Sequence, residues 1–157
     1  MPLPYENATS GRRAIDEMQK ILREFGAAAF GTMENFDAGK VLVQFQYRGR
    51  EVQIEASFQG YAAAWLRHHP YSPRMRITRA EYEHRALEKG KVAVWSICRD
   101  WIKGQITAIE TGILTFEGAF LGSILLPSGE TITQHIERQK LLPSPAPAEN
   151  VRRLASR

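Results

Sequence analysis

Hydrophobic residues near the N-terminus follow a helical period. Between residues 14 and 25 they recur at spacings of three and four, which gathers them into one stripe along a helix. Ser10 carries a side chain that can cap a helix, and Gly26 suits the left-handed conformation in which many helices end. The pattern predicts a helix that is capped by Ser10 and runs to about Phe25.

Over residues 40–58 the spacing of the hydrophobic residues changes to every second position. Apolar and polar residues alternate over Lys40–Arg48 and again over Glu51–Phe58, as expected for strands that bury one face. Gly49 supplies the positive φ that a type II′ turn requires, so we expect a hairpin that turns at Gly49-Arg50. The expected register pairs Tyr47 with Val52, Phe45 with Ile54, Val43 with Ala56, Val41 with Phe58, and Arg48 with Glu51. A slip by one residue would turn every apolar side chain to solvent, which favours this register.

Other signals place the remaining elements. A third strand is expected around Ala28–Phe36, and a short helix over Gly60–His69 ends at Pro70. Thr78, followed three residues later by Glu81, forms a capping box. It opens a long helical pattern to about Thr111. Bends are expected at Gly90 and Gly104, with a full break at Gly90 as the alternative. Two short helices are expected over Thr115–Leu121 and Thr131–Gln139.

The element order predicts an α+β fold, with an N-terminal helix, a three-stranded antiparallel meander and a helical C-terminal half. The first helix and the long helix are expected to cover the apolar face of the sheet. We expect one domain over residues 10–142. A flexible arm, residues 1–9, precedes it, and a disordered Pro-rich basic tail, residues 143–157, follows it.

Composition indicates the cellular compartment in which the protein is expected to fold. A chain of 157 residues is large enough to bury one core without a disulfide or a metal, and it has one cysteine, Cys98. A lone thiol is typical of a reducing compartment. The sequence lacks a secretory signal and any apolar run of membrane-spanning length, so we expect a cytoplasmic protein without a membrane contact.

Catalytic and metal-binding patterns are weak. The sequence has no nucleophile elbow, phosphate-binding loop or dinucleotide fingerprint. The histidines lack the spacing of a ligand set, and they are His68, His69, His84 and His135. Cys98 is expected to be a buried small hydrophobe. We therefore expect a protein that is not an enzyme and holds no metal or cofactor, with a weak nuclease or hydrolase as an alternative.

The most unusual stretch is basic. Residues 67–79 contain four arginines, two histidines and no acidic residue, while the net charge of the chain is only +4. Arginine forms bidentate contacts with phosphate, and an interleaved tyrosine can stack on unpaired bases. The candidate nucleic-acid-binding residues are Arg67, Tyr71, Arg74, Arg76 and Arg79 of this stretch, with Arg48 and Arg50 at the hairpin tip. The same arginines could instead form salt bridges with Glu81, Glu83 or Glu88.

The helix–meander–helix order resembles that of the double-stranded-RNA-binding domain. That family carries lysines at the start of its second helix, where this chain has Gln59-Gly60-Tyr61-Ala62-Ala63. The residues with which the family grips phosphate are therefore missing, and its function does not carry over.

A second resemblance covers most of the chain, from about Arg12 to Pro143. Its segments resemble a recurring pattern of small, uncharacterised bacteriophage and prophage proteins. They are Asp100–Gln105, Glu110–Ile113, Phe116-Glu117 and Leu125–Thr131. The resemblance implies an accessory protein of a mobile element, which acts on nucleic acid or on a host defence complex.

Two binding functions follow as hypotheses. The first is a non-catalytic accessory protein that binds DNA or RNA through the basic stretch and the hairpin tip. The second is an inhibitor that binds a host protein, such as a defence complex. It would use the same arginines on an acidic patch or an apolar stripe of the long helix. The long helix has a broad apolar pattern, so a homodimer through that helix is a further expectation.

Overall fold

The elements follow the expected order. A computed structural model of the chain describes residues 2–145. The helices are α1 (Gly11–Phe25), α2 (Phe58–His68), α3 (Arg79–Glu110), α4 (Phe116–Phe120) and α5 (Ile132–Arg138), and the strands are β1 (Ala29–Asn35), β2 (Lys40–Tyr47) and β3 (Arg50–Ser57). The α+β class and the antiparallel order β1-β2-β3 are confirmed. Most of the predicted tail, from residue 146 onward, lies outside the described residues.

The predicted helix signals are confirmed by the backbone. The Ser10 hydroxyl accepts a hydrogen bond from the Arg13 backbone N–H at 3.1 Å, and Gly26 ends α1 with a φ of 109°. Thr78 and Glu81 form the capping box that begins α3. Capping of this kind satisfies backbone N–H groups that have no partner within the helix. Local sequence therefore determines where these two helices begin.

The register of the β2–β3 hairpin differs from the predicted one. The observed partners are Tyr47 with Arg50, Phe45 with Val52, Val43 with Ile54, Val41 with Ala56, and Gln46 with Glu51. Every pair is therefore shifted by two residues from the expected one, and the turn lies at Arg48-Gly49 instead of Gly49-Arg50. Both turn residues have positive φ, 48° and 76°, which is the signature of a type I′ turn.

A shift of two residues leaves the same side chains on the same face. The apolar pattern excludes a slip by one residue, but it cannot distinguish two registers that differ by two. Type I′ and type II′ turns both match the twist of the strands that they join, so neither the apolar pattern nor the twist of the turn distinguishes the two registers. In the observed register Phe58 lies beyond the sheet and is buried in the core. Ser57 caps α2, which begins at Phe58, two residues before the predicted Gly60.

The core lies between the sheet and a layer formed by α1 and α3, as predicted. Its completely buried side chains come from both layers, and they include Met18, Leu22 and Ile102 on the helices and Val41, Val43 and Val52 on the strands. Cys98 is buried in the same cluster, which confirms its predicted place in the core. None of the helices within residues 2–145 is long and apolar enough to cross a membrane.

Helix α3 is continuous through Gly90, where the sequence predicts a bend or a break. Gly90 is buried where α2 crosses α3, and a Cβ built there would lie 2.6 Å from the backbone carbonyl oxygen of Phe58. The glycine therefore permits close contact between two helices and leaves the axis of α3 uninterrupted.

The predicted flexible arm makes specific contacts. Leu3 packs in a small cluster around Trp65 and Tyr82, between α2 and α3. The Tyr5 hydroxyl donates a hydrogen bond to the Asp100 carboxylate at 2.6 Å, and the Tyr61 hydroxyl donates one to the backbone carbonyl of residue 4. These contacts require α2 and α3 to be side by side, and no local sequence pattern reports that arrangement.

Candidate nucleic-acid interface

The basic stretch forms a loop between α2 and α3, residues 69–78, which we call the basic loop together with the flanking Arg67 and Arg79. Hydrogen bonds hold both of its ends. The Tyr71 hydroxyl donates to the Ile77 backbone carbonyl at 2.9 Å, and the Tyr82 hydroxyl donates to the His69 backbone carbonyl at 2.6 Å. The loop is therefore tied to the start of α3.

The arginines of the basic loop point outward. Arg67, Arg74, Arg76 and Arg79 are all exposed, and the structure shows none of them in an ion pair with another residue of the range 2–145. The Met75 backbone N–H donates to the Ser72 carbonyl at 3.0 Å, which forms a turn that carries Arg74. The basic loop between α2 and α3 thus carries four exposed guanidinium groups.

The acidic residues near this loop do not pair with its arginines. The Glu81 carboxylate accepts a hydrogen bond from the Thr78 backbone N–H at 3.4 Å, within the capping box. Glu88 contacts His84 at 4.0 Å and Lys91 at 3.3 Å. Glu83 is exposed and has no basic partner in the described part of the chain. The salt bridges to these glutamates, which the sequence offered as an alternative role for the loop arginines, do not form among residues 2–145.

Tyr71 lies inside the loop and is half-buried. Its ring contacts Tyr82, with the ring centroids 5.6 Å apart, and the Arg79 guanidinium lies 5.2 Å from the Tyr71 ring centroid. Its hydroxyl is occupied by the bond to residue 77. Tyr71 therefore shapes the loop and orients Arg79, and it offers little free ring surface on which a base could stack.

The hairpin tip lies in a different part of the molecule. Arg48 covers the Tyr47 ring at 5.2 Å, and the Arg50 guanidinium lies 3.7 Å from the Glu117 carboxylate of α4. The Tyr47 ring also contacts Phe116 of α4, with the centroids 4.9 Å apart. The tip is therefore fixed against α4, and one of its two arginines already has an acidic partner.

The two groups of arginines are far apart along α3. The basic loop is anchored on Tyr82, whereas α4 reaches α3 through the contact of Phe120 with Trp101 at 5.6 Å. The rise along a helix from Tyr82 to Trp101 is about 28 Å, at about 1.5 Å per residue. The structure thus gathers Arg67, Arg74, Arg76 and Arg79 with Tyr71, and it leaves Arg48 and Arg50 outside this group.

The structure adds a cation that the sequence pattern missed. The Lys89 ammonium lies 5.6 Å from the Trp65 ring centroid, where α3 packs beside α2. Trp65 also stacks on His69 at the start of the basic loop, with the ring centroids 4.5 Å apart. Lys89 is ten residues beyond Arg79, and only the pairing of α2 with α3 reveals that it lies near the same end of the molecule.

Cys98 is buried, and His135 has a carboxylate partner. Burial raises the pKa of the Cys98 thiol to about 11, so the reactive thiolate is disfavoured. His135 Nδ1 lies 2.9 Å from the Glu130 carboxylate, which also binds Arg138. Within residues 2–145, no three side chains of His, Cys, Asp or Glu come together as a metal site would require.

Comparison with protein-family models found no matching family. Comparisons with curated proteins and with solved structures found no significant match either.

Proposed function

We propose that the protein is a non-catalytic, phage-type accessory protein that binds DNA or RNA through the basic loop. The observation that supports this function is the exposure of Arg67, Arg74, Arg76 and Arg79 without ion pairs among residues 2–145. An arginine fork matches the geometry of a phosphate group and forms charge-assisted hydrogen bonds with it. The internal bonds of the loop keep these four groups together before a ligand binds.

Binding through these arginines is electrostatic, so it depends on salt. Each phosphate contact on duplex DNA contributes about 0.9 to the slope of log affinity against log salt. Four contacts imply a loss of affinity of roughly 100-fold between 50 and 200 mM salt. Single strands release fewer counterions per contact, and their affinity should fall less steeply.

The hairpin tip acts as a second contact on a long ligand. The separation along α3 is about 28 Å, which corresponds to about eight base pairs of duplex at about 3.4 Å each. Substitution of Arg48 should therefore weaken binding to a long duplex more than binding to a short one. Substitution in the basic loop should weaken binding to both.

The test is a fluorescence-polarization assay with single- and double-stranded DNA and RNA at two salt concentrations. The loop variant replaces Arg74, Arg76 and Arg79 with alanine. The matched control replaces Arg12, Arg13 and Arg138 with alanine, which lowers the net charge by the same amount. These three arginines all form ion pairs within the protein. We expect the loop variant to lose at least about tenfold more affinity than the control, because it removes three phosphate contacts.

Two results would contradict the proposal. Absence of binding to every nucleic acid at low salt would exclude it. Equal losses for the loop variant and the control would show that net charge alone attracts the ligand. Circular dichroism of both variants checks that they fold.

The second candidate function is binding to an acidic patch of a host protein, as an inhibitor of a defence complex. The engagement of the Tyr71 ring with Tyr82 and Arg79 favours it, since the loop then recognises charge without base stacking. Guanidinium groups pair with carboxylates as well as with phosphates. Capture of one partner from nuclease-treated lysate, lost in the loop variant and kept in the control, would support this function over nucleic-acid binding.

A further inference from the structure

The outer edge of β1 has no partner within the described part of the chain. In the order β1-β2-β3, both β1 and β3 are edge strands. The edge of β3 is partly covered, because the Leu125 backbone N–H donates to the Glu51 carbonyl at 2.8 Å and Val52 forms a bridge with Ile124. No strand or bridge among residues 2–145 lies on the corresponding edge of β1.

β1 has few of the features that usually prevent an edge strand from pairing. Such strands carry lysine, proline or a bulge, or are covered by another segment. β1 has neither lysine nor proline, and its one charged residue is Glu34, which lies 3.5 Å from Lys91. Met33 beside it is 65% exposed. The strand is therefore uncharged along most of its length and open to a partner.

The register of the sheet gives the direction of the free backbone groups. Tyr47 and Arg50 close a two-residue turn, so they form a hydrogen-bonded pair in the β2–β3 ladder. Alternation along β2 then directs its even-numbered residues toward β1, where they bond to the odd-numbered residues of that strand. The N–H and C=O groups of Phe30, Thr32 and Glu34 consequently point outward.

We propose that two copies of the chain pair through their β1 edges, antiparallel about a two-fold axis at Thr32, to form one continuous six-stranded sheet. This register joins Thr32 to Thr32 of the second copy and Phe30 to Glu34 of the second copy. Every outward N–H and C=O of the three residues then has a partner. Isologous contacts of this kind are the commonest form of protein dimer.

Charge complementarity favours a second copy as the occupant, because only one oxygen of the Glu34 carboxylate, Oε2, contacts Lys91, and the other can meet a cation of that copy. Arg23 lines a depression of about 220 Å³ together with Gln19 and residues 27–30, beside the N-terminal half of β1. It is exposed and has no ion pair within residues 2–145. Glu34 lies on the same side of the sheet as Phe30, at the opposite end of the strand. The two-fold axis brings Glu34 of each copy beside Phe30 of the other, and so close to the second copy's Arg23.

The outer face of the sheet fits the same register. Gly31 and Met33 point to the face opposite the helices, and a Cβ built at Gly31 would meet nothing within 4 Å. In the proposed dimer Met33 lies opposite Gly31 of the second copy, in a pair without hydrogen bonds, where side chains approach most closely. Met33 of each copy then packs on Gly31 of the other, and the two-fold axis generates this contact twice.

This interface differs from the dimer that the sequence predicts through the long helix. α3 packs against α1 and α2, and its apolar residues are largely buried within one chain, including Trp95, Ile102 and Ile106. Trp101 is the one large apolar residue of α3 that is exposed, at 39%, so the helix offers a second copy a single aromatic side chain and no broad apolar stripe. The β1 edge offers unpaired hydrogen-bonding groups as well as apolar surface.

The test uses a charge swap on the two-fold axis. Thr32 is exposed, so Thr32→Lys and Thr32→Glu should both fold, and each would place like charges directly opposite one another. Sedimentation analysis of the full chain should show a dimer for the wild type. Each variant alone should associate at least about tenfold more weakly, because opposed like charges destabilise a strand pair. An equimolar mixture of the two variants should recover the dimer.

Ala63→Lys is the control, because it adds one charge at an exposed position of α2, away from the edge of β1, and should leave the dimer intact. A wild-type chain that stays monomeric at all accessible concentrations overturns the proposal. The proposal is also overturned if Thr32→Lys and Thr32→Glu, each alone, dimerise as strongly as the wild type. Hydrogen exchange adds an independent readout, since the amides of Phe30, Thr32 and Glu34 should slow as the concentration rises. Protection of these amides in the monomer would mean that another part of the same chain covers the edge, which also overturns it.

Discussion

Gly90 of α3 lies directly against the backbone carbonyl oxygen of Phe58 at the first turn of α2. A Cβ built on Gly90 would stand 2.6 Å from that oxygen and 3.3 Å from the Ala62 backbone nitrogen. Both neighbours are backbone atoms of a packed helix, which cannot rotate away as a side chain can. The two helices approach this closely because residue 90 has no side chain.

We expect Gly90→Ala to destabilise the protein by about 1–3 kcal/mol, the usual cost of forcing an extra methyl group into a packed site. The better helix propensity of alanine would offset up to about 1 kcal/mol of this loss. Gly104→Ala is the matched control, because it lies in the same helix and its Cβ would meet nothing within 4 Å. The control should gain up to about 1 kcal/mol. Urea unfolding measures both, and a stable Gly90→Ala variant would contradict the close contact.

Replacement of Arg48 tests the hairpin register. Arg48 has a φ of 48° at the first position of the turn, where asparagine is favoured before glycine. We expect Arg48→Asn to raise the free energy of unfolding by about 0.5–1 kcal/mol, even though the contact with Tyr47 is lost. Arg50→Asn should bring no such gain, since residue 50 lies in β3 and pairs with Glu117. The opposite ranking of the two variants would support a turn at Gly49-Arg50.

Protonation of Glu130 should contribute to acid unfolding. Hydrogen bonds from Arg138 and then His135 lower the pKa of Glu130 from its ordinary 4.5 to about 2. The pKa of Glu130 is lower in the folded state than in the unfolded state. Its ion pair therefore stabilises the fold above about pH 4.5, and this effect is lost as the pH falls toward about 2. Arg138→Ala should raise the pKa of Glu130 toward its ordinary value in an NMR titration. Arg12→Ala, which is remote from Glu130, should leave that pKa unchanged.

The thiol of Cys98 should react slowly with thiol reagents in the folded protein. Burial raises its pKa to about 11, so little thiolate is present near pH 8, and the side chain lies in the core. The rate of labelling should rise with urea as the protein unfolds. The chain has one cysteine, so the signal is unambiguous. Rapid labelling without denaturant would mean that the core opens at α3.

Sequence patterns predicted the elements well where a local signal carries the information. Ser10 and Gly26 bound α1, and Thr78 with Glu81 starts α3, because capping is a contact between residues close in the chain. Alternation likewise identified the strands and their buried face. It failed on the hairpin register, since two registers that differ by two residues bury the same side chains.

Of the candidate site, the sequence identified the arginines but not their arrangement. It grouped Arg48 and Arg50 with the basic loop, whereas the fold places the hairpin tip against α4 and the loop at the start of α3. It treated Tyr71 as a stacking residue, and the structure encloses that ring between Tyr82 and Arg79. Lys89 was overlooked, because its position near Trp65 depends on the packing of two helices.

The sequence by itself determined which segments form helices and strands, because hydrogen bonds, caps and apolar periods act over a few residues. Only the tertiary structure decided which arginines share a surface, why Gly90 is a glycine, and which edge of the sheet is left open. Those features depend on contacts between segments that are distant in the chain, and a periodic pattern carries no information about which distant segment will pack against it.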